Sequence, residues 1–173
     1  MGVDSRMLDI IRKIGEVTPP PVRLSKLFES PEQDFFSFSI PTPELGVLAK
    51  VFDLLALSSI NIRFLGEHLG GDGDLRVQMC VDSVQGALAL KTIQREDVVG
   101  VLGEWHHRPG AVILSLYPFN GQPHIAGRIF DTMHAEGIEI LGAGSATSVF
   151  SCVILRNKVG LAVSKLKTAF VLP

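Results

Sequence analysis

The chain has 173 residues, 46% of them hydrophobic, and 16 basic against 18 acidic side chains give a formal charge of −2. That is enough apolar material for one core or two small ones, and too little clustered Lys and Arg for a nucleic-acid footprint. No apolar run reaches the ~18 residues of a membrane span, and Asp4, Arg6 and Asp9 break up the N-terminus where a signal peptide would be apolar, so a cytoplasmic address is expected.

Val3, Met7, Ile10, Ile11 and Ile14 recur at helical spacing and predict a short amphipathic helix over 3–15. Thr18-Pro19-Pro20-Pro21 stops it, because proline has no donor and restricts the residue before it. Val22 to Phe28 is a candidate lone strand, and Ser30 to Asp34 reads as a turn.

From Phe35 a pattern begins that occurs twice. Phe36, Phe38 and Ile40 alternate with serines as in a half-buried strand, and Pro41-Thr42-Pro43 breaks it. Leu45, Leu48, Phe52 and Leu55 mark one face of a helix ending near Ser58 or Ser59. Ile60 to Phe64 starts a second strand, and Gly70 to Asp74 carries hairpin chemistry. Leu75, Val77, Met79 and Val81 return. Ser83 to Ile93 predicts a helix with Ser83 as N-cap and Val84, Ala87 and Leu88 facing inward. Val98 to Leu102 is expected to close the unit as a fourth strand.

The second pass starts with a strand at Ala111 to Tyr117 and a loop at Pro118 to Gln122. Pro123 suits the first turn of a helix bearing Ile125, Ile129, Phe130 and Met133. Gly137 ends that helix, Ile138 to Leu141 is read as a strand, Gly142 to Thr147 as a turn, and Val149 to Leu155 as the return strand. Val159, Ala162, Val163, Leu166 and Phe170 mark a final helix. The repeat is thus βαββαβ followed by βαββα, an α+β, ferredoxin-like arrangement with helices on one face of the sheet. Val22–Phe28 is the candidate for the missing strand, since an unpaired apolar edge would otherwise be exposed. Residues 1–21 are then a helix and linker, 34–108 the first module, and 22–29 with 109–173 the second.

Gly46-Val47-Leu48-Ala49-Lys50-Val51-Phe52, followed after a gap by Ile60-Asn61-Ile62, resembles the ACT-domain signature. Residues 111–170 are similar to the last part of aspartokinase regulatory regions, with Pro123 at a helix start, Gly137-Ile138 entering a strand, and a helix ending near Phe170. The resemblance covers about residues 22–173 and lacks any kinase part. It implies tandem ACT modules, the second completed by an N-terminal strand, and a homodimer. Some positions depart from the family: no Asp precedes Gly46, His124 stands where a glycine is usual, and Glu67-His68 occupy the place of a Gln-Asn pair.

A helix N-terminus offers unpaired N–H groups and partial positive charge, which suits a carboxylate. The expected ligand positions are therefore the strand–helix loops: Thr42, Glu44, Leu45, Gly46 and Val47, with Asn61 one strand over, and Asn120, Gly121, Gln122, Pro123, His124 and Ile125 in the second module. The competing reading is that Gly46 and Pro123 only make turns and Asn61 only satisfies a neighbouring backbone group. No metal is expected, because His106 and His107 point to opposite faces of a strand and His124 and His134 are ten apart on one helix. Cys80 and Cys152, far apart in apolar runs, are expected reduced and half-buried. No phosphate loop or nucleophile grouping stands out, and Trp105 reads as packing.

These features point to a non-catalytic regulator, without a cofactor, that binds an amino acid or similar small carboxylate at ACT-module interfaces and transmits it allosterically. The rival is a regulatory or interaction subunit of an amino-acid biosynthetic enzyme, which binds a protein partner and no small ligand.

Overall fold

The structure, a computed structural model, describes residues 22–171. The helix expected over 3–15 and the proline linker lie outside the described residues. Strand β1 is Lys26–Glu29 and β2 is Gln33–Ile40. Helix α1 (Gly46–Leu57) leads to β3 (Ile62–Leu69) and β4 (Leu75–Asp82), then α2 (Ser83–Ile93), the short α3 (Glu96–Val99) and the long β5 (Trp105–Tyr117). Helix α4 (Pro123–Ala135), β6 (Gly142–Ser145), β7 (Phe150–Leu155) and α5 (Val159–Ala169) complete it.

The strands form one seven-stranded antiparallel sheet in the order β3-β4-β2-β5-β7-β6, with β1 also paired to β5. The first half of β5 pairs with β2 and serves as the fourth strand of the first module. Its second half pairs with β7 and β1 and serves as the first strand of the second. Strand β1, the fourth strand of the second module, runs after Ser30-Pro31-Glu32 into β2, the first strand of the first module. Each module's last strand therefore continues into the other's first, and the N-terminal segment completes the second module as the repeat pattern requires. Ser30 holds the break: its amide donates to the Ile113 carbonyl at 3.0 Å, and its hydroxyl accepts from the Ile113 amide at 3.0 Å.

A bulge decides which way the side chains face. Between the pairs Gln33–Ala111 and Phe35–Arg108, β5 carries one residue more than β2. Gly110 in this stretch adopts φ +74°, a conformation open to glycine at little cost. One extra residue exchanges the two faces of a strand. Trp105 and His107 before the bulge, and Val112, Leu114 and Leu116 after it, thus lie on the same side, under the helices.

Two cores fill that side. Phe36, Phe38, Ile40, Val77, Met79 and Val81 pack under Val51, Leu55, Ala89, Ile93 and Val98. Val112, Leu114, Leu116, Cys152 and Ile154 pack under Ile125, Ile129, Met133, Ala162 and Leu166, with Val22 and Leu24 closing the edge. The opposite face curls on itself and buries Phe35, Phe64, Cys80, Ala111, Ile113, Leu141 and Val153. The ends of the strand order meet there: the Phe64 ring on β3 lies against Gly142 and Gly144 on β6, and Gln78 Nε2 on the neighbouring β4 donates to the Leu141 carbonyl at 3.0 Å.

The structure corrects several expectations. Val98–Leu102 is not the fourth strand of the first module: Glu96–Val99 is helical, and Val98 and Leu102 are buried at helical spacing. The closing strand starts at Trp105. The second strand of the second module is Gly142–Ser145, four residues beyond the expected Ile138–Leu141. Its small residues are required because Phe64 leans on it; a Cβ on Gly142 would lie 3.1 Å from that ring. Helix α2 turns its other face inward, so that Val84 is 91% and Leu88 47% exposed while Gly86, Ala89 and Ile93 are buried. Its N-cap is Asp82, not Ser83, and makes no capping bond. The cysteines are fully buried rather than half-buried, and unpaired.

Candidate functional site

The expected ligand positions divide into separate places. Thr42–Glu44 form a 3-10 turn ahead of α1, and the Thr42 hydroxyl donates to the Gly73 carbonyl, which ties this loop to the β3–β4 hairpin. Glu44, Leu45 and Gly46 are exposed and Val47 is half-buried. A Cβ on Gly46 would meet nothing within 4 Å. Neither α1 nor α4 has a side-chain cap; in their first turns the Leu48 amide donates to the Leu45 carbonyl at 3.1 Å and the Ile125 amide to the Gln122 carbonyl at 3.0 Å. In the second loop Asn120 (φ +51°) and Gly121 (φ +63°) make a tight turn, closed by the Gln122 amide donating to the Phe119 carbonyl at 3.0 Å. Asn120 to His124 are exposed, whereas Ile125 is 1% exposed in the core and presents no side chain to a ligand.

One chain does not bring these groups together. Asn61 follows the C-terminal end of α1 while Gly46 begins it, so some twelve residues of helix, roughly 18 Å, separate them. The two loops sit at opposite ends of β5.

A cleft that sequence patterning did not reveal opens on the curled face between the modules. Its volume is about 510 Å³. One wall is polar. Arg63 Nε and Nη2 both donate to Asp82 Oδ2, at 2.9 and 2.6 Å, and hold the Asp82 carboxyl below the usual carboxylate range. Gln33, 1% exposed, donates through Nε2 to Asp82 Oδ1 at 3.2 Å and to the Pro31 and Glu32 carbonyls at 3.1 Å each. Its Oε1 is buried and has no partner among the described residues. An unmet buried acceptor costs about 1–3 kcal/mol. The floor and lip are Phe64, Ile113, Phe28 and Tyr117, with Ser115 and Ser151 side by side at 2.9 Å. These residues come from six strands, so no local motif announces them.

Elsewhere, His107 Nε2 meets Asp34 Oδ2 at 2.6 Å and stacks on Phe36 at 4.5 Å, under α2. His106, on the other side of the strand, meets Glu104 at 3.1 Å. Among the described residues no three His, Cys, Asp or Glu side chains converge as metal ligands. No described helix is long and apolar enough to cross a membrane. Burial pushes the Cys80 and Cys152 thiols up to about 12, which removes them as nucleophiles near neutral pH.

Two ferredoxin-like modules that share one sheet by exchanging strands define the tandem ACT fold. The regulatory subunit of aspartate kinase from Thermus thermophilus, in a ligand-free form, superposes with a TM-score of 0.73 at 20% identity, covering 85% of this chain and 98% of its own. The corresponding subunit from Thermus flavus gives 0.75 at 18% identity with the same coverage. Escherichia coli aspartokinase III in complex with lysine and aspartate gives 0.63 at 14%, covering 90% of this chain and 35% of its own. At these identities the likeness is one of fold. Neither a protein-family model nor a curated protein matches the chain in sequence.

Proposed function

We propose that the chain is a cytoplasmic, non-catalytic regulator that binds an amino acid or similar small carboxylate and passes the binding event to a partner enzyme of amino-acid metabolism. The observation that carries this reading is the extent of the match: the chain corresponds to 98% of a free-standing regulatory subunit. Lysine accompanies a structural neighbour of the same fold, which makes amino acids the first class of ligand to test. The loop residues Thr42, Glu44, Gly46 and Asn61, and Asn120, Gln122, Pro123 and His124, are the proposed contacts, with 34–108 and 22–29 plus 109–173 as the working modules. Because about 18 Å of helix separates Gly46 from Asn61, both reach one small ligand only when a second copy supplies one of them. The proposal is therefore a homodimer with ligands at its interface.

Binding would favour one packing of the modules over another, and a partner would read the difference. Isothermal titration of the protein with each of the twenty amino acids tests this. At least one is expected to bind and to raise the melting temperature; silence from all twenty would overturn the reading.

A further inference from the structure

We infer that the cleft between the two modules of one chain is itself a ligand site, separate from the strand–helix loops, and that it takes an α-amino acid with a large apolar side chain. The inference rests on the ligand-binding reading above but assigns a different place and a narrower class of ligand.

The polar wall asks for both charges of such a molecule. Arg63 spends Nε and Nη2 on a single oxygen of Asp82, and Nη1 makes no bond among the described residues, so the guanidinium keeps donors for a carboxylate. Asp82 Oδ1 accepts from Gln33 Nε2 at 3.2 Å, and a carboxylate oxygen with one such bond keeps acceptor capacity for an ammonium. An ammonium entering the cleft can approach that carboxylate, which lines the wall beside Arg63. A molecule carrying only an anion would leave the Asp82 carboxylate without a cation from the ligand. One carrying only a cation would leave Arg63 unused.

The rest of the cleft is apolar and long. Gln33 lies opposite Ala111, and Ser151 opposite Ser115, so four strand residues, roughly 13 Å, separate the polar wall from the serine pair. Phe64 and Ile113 form the floor between them, and Phe28 and Tyr117 the lip. A leucine or phenylalanine side chain reaches along this floor. A lysine side chain would bring its ammonium to an end of the cleft lined by hydroxyls and apolar groups, with no carboxylate, so lysine is disfavoured. At about 510 Å³ the space lies within the ordinary range for small-molecule sites.

The test is calorimetric titration of the full chain with L-phenylalanine, L-leucine and L-lysine, on the wild type and on Arg63→Met and Ser115→Leu. Arg63 is half exposed, so its replacement leaves the fold intact; Ser115→Leu fills the floor, and its circular dichroism and melting curve are recorded alongside. The expected result is binding of L-phenylalanine or L-leucine, at least tenfold weaker in Arg63→Met and, if it folds, in Ser115→Leu, with L-lysine weaker than both on the wild type. Equal affinity of wild type and Arg63→Met for an amino acid would overturn the cleft site and leave the regulatory reading standing. Absence of any binding to the wild type, across all twenty amino acids, would overturn both.

Discussion

The two modules lay the same row of side chains across three strands, and the rows differ in chemistry. In the second module the row is Phe28, Ser115 and Ser151; in the first, the register puts His106, Ser37 and Gln78 in the corresponding places. The second module's row lines the apolar cleft described above. The first module's row opens on a hollow of about 270 Å³ that also holds His68, Arg76 and Glu104. There Arg76 is tied to Asp72 at 2.6 Å and His106 to Glu104 at 3.1 Å. One backbone frame thus offers an apolar slot with a single ion pair, Arg63–Asp82, at its end, and a second hollow lined mainly by paired polar groups. The frame fixes where hollows fall, and the side chains fix what can enter them.

Because β5 belongs to both modules, the two should unfold together. Leu114 is fully buried in the second core, while Trp105 packs against the first. Leu114→Ala should cost about 2–5 kcal/mol. In urea, the Trp105 fluorescence midpoint should fall together with the circular dichroism. If Trp105 kept its wild-type midpoint, the modules would be independent and the shared strand only a tether.

A smaller effect should differ in sign between the modules. Gly86 in α2 lies against Asp34, and a Cβ there would come within 2.2 Å of its carboxylate. Gly127 in α4 has nothing within 4 Å of the same position. Gly86→Ala should destabilise by about 1–3 kcal/mol, as overpacking does. Gly127→Ala should stabilise by up to about 1 kcal/mol. Melting curves of the two variants decide it, and matching shifts would show that the glycines play equivalent parts.

The smallest effect should be common to both modules. Burial raises the Cys80 and Cys152 thiols from the usual 9.0 to about 12. Unfolded thiols ionise above pH 9 while folded ones stay protonated, so stability is fully present below pH 9 and is lost as pH rises toward 12. At pH 10 the loss is at most about 1.4 kcal/mol per thiol. Melting temperatures at pH 8 and pH 10, in the wild type and in Cys80→Ala and Cys152→Ala, should show each variant removing its share. A variant with an unchanged pH dependence would mean that its thiol is not sheltered.

Much of the fold was legible because burial follows period. Phe36, Phe38 and Ile40 alternate and are buried, and Ile125, Ile129 and Met133 are buried on α4 at the spacing that predicts that helix. The failures have physical reasons. The first half of β5 reads as polar and broken, with two histidines and Pro109-Gly110, because its inward side chain His107 meets Asp34 and Phe36 rather than aliphatic neighbours. Strand β6 reads as a turn because its glycines make room for the Phe64 ring. The inward face of α2 was missed because Asp34 requires a glycine where an apolar side chain would be expected. Val98 and Leu102 sit four apart and are buried together, a helical signal that was available. The loops at Gly46 and Pro123 were found as turns, but their distance from Asn61 and from each other follows from topology, which one sequence does not display. The cleft was invisible for the same reason.

The exchange of strands also governs the order of events at the ribosome. The segment around Ser25 and β1 is synthesised early, yet its hydrogen-bond partner Tyr117 follows 92 residues later. At about 5–20 residues per second, that is a wait of roughly 5–20 s. Through that interval Leu24 and Phe28 are on a chain that holds no second module to receive them, and β2 lacks the strand that covers its outer edge. A nascent chain of this design therefore passes through a stage when two adjacent strands are open to a wrong partner, and slow synthesis before β5 would lengthen it.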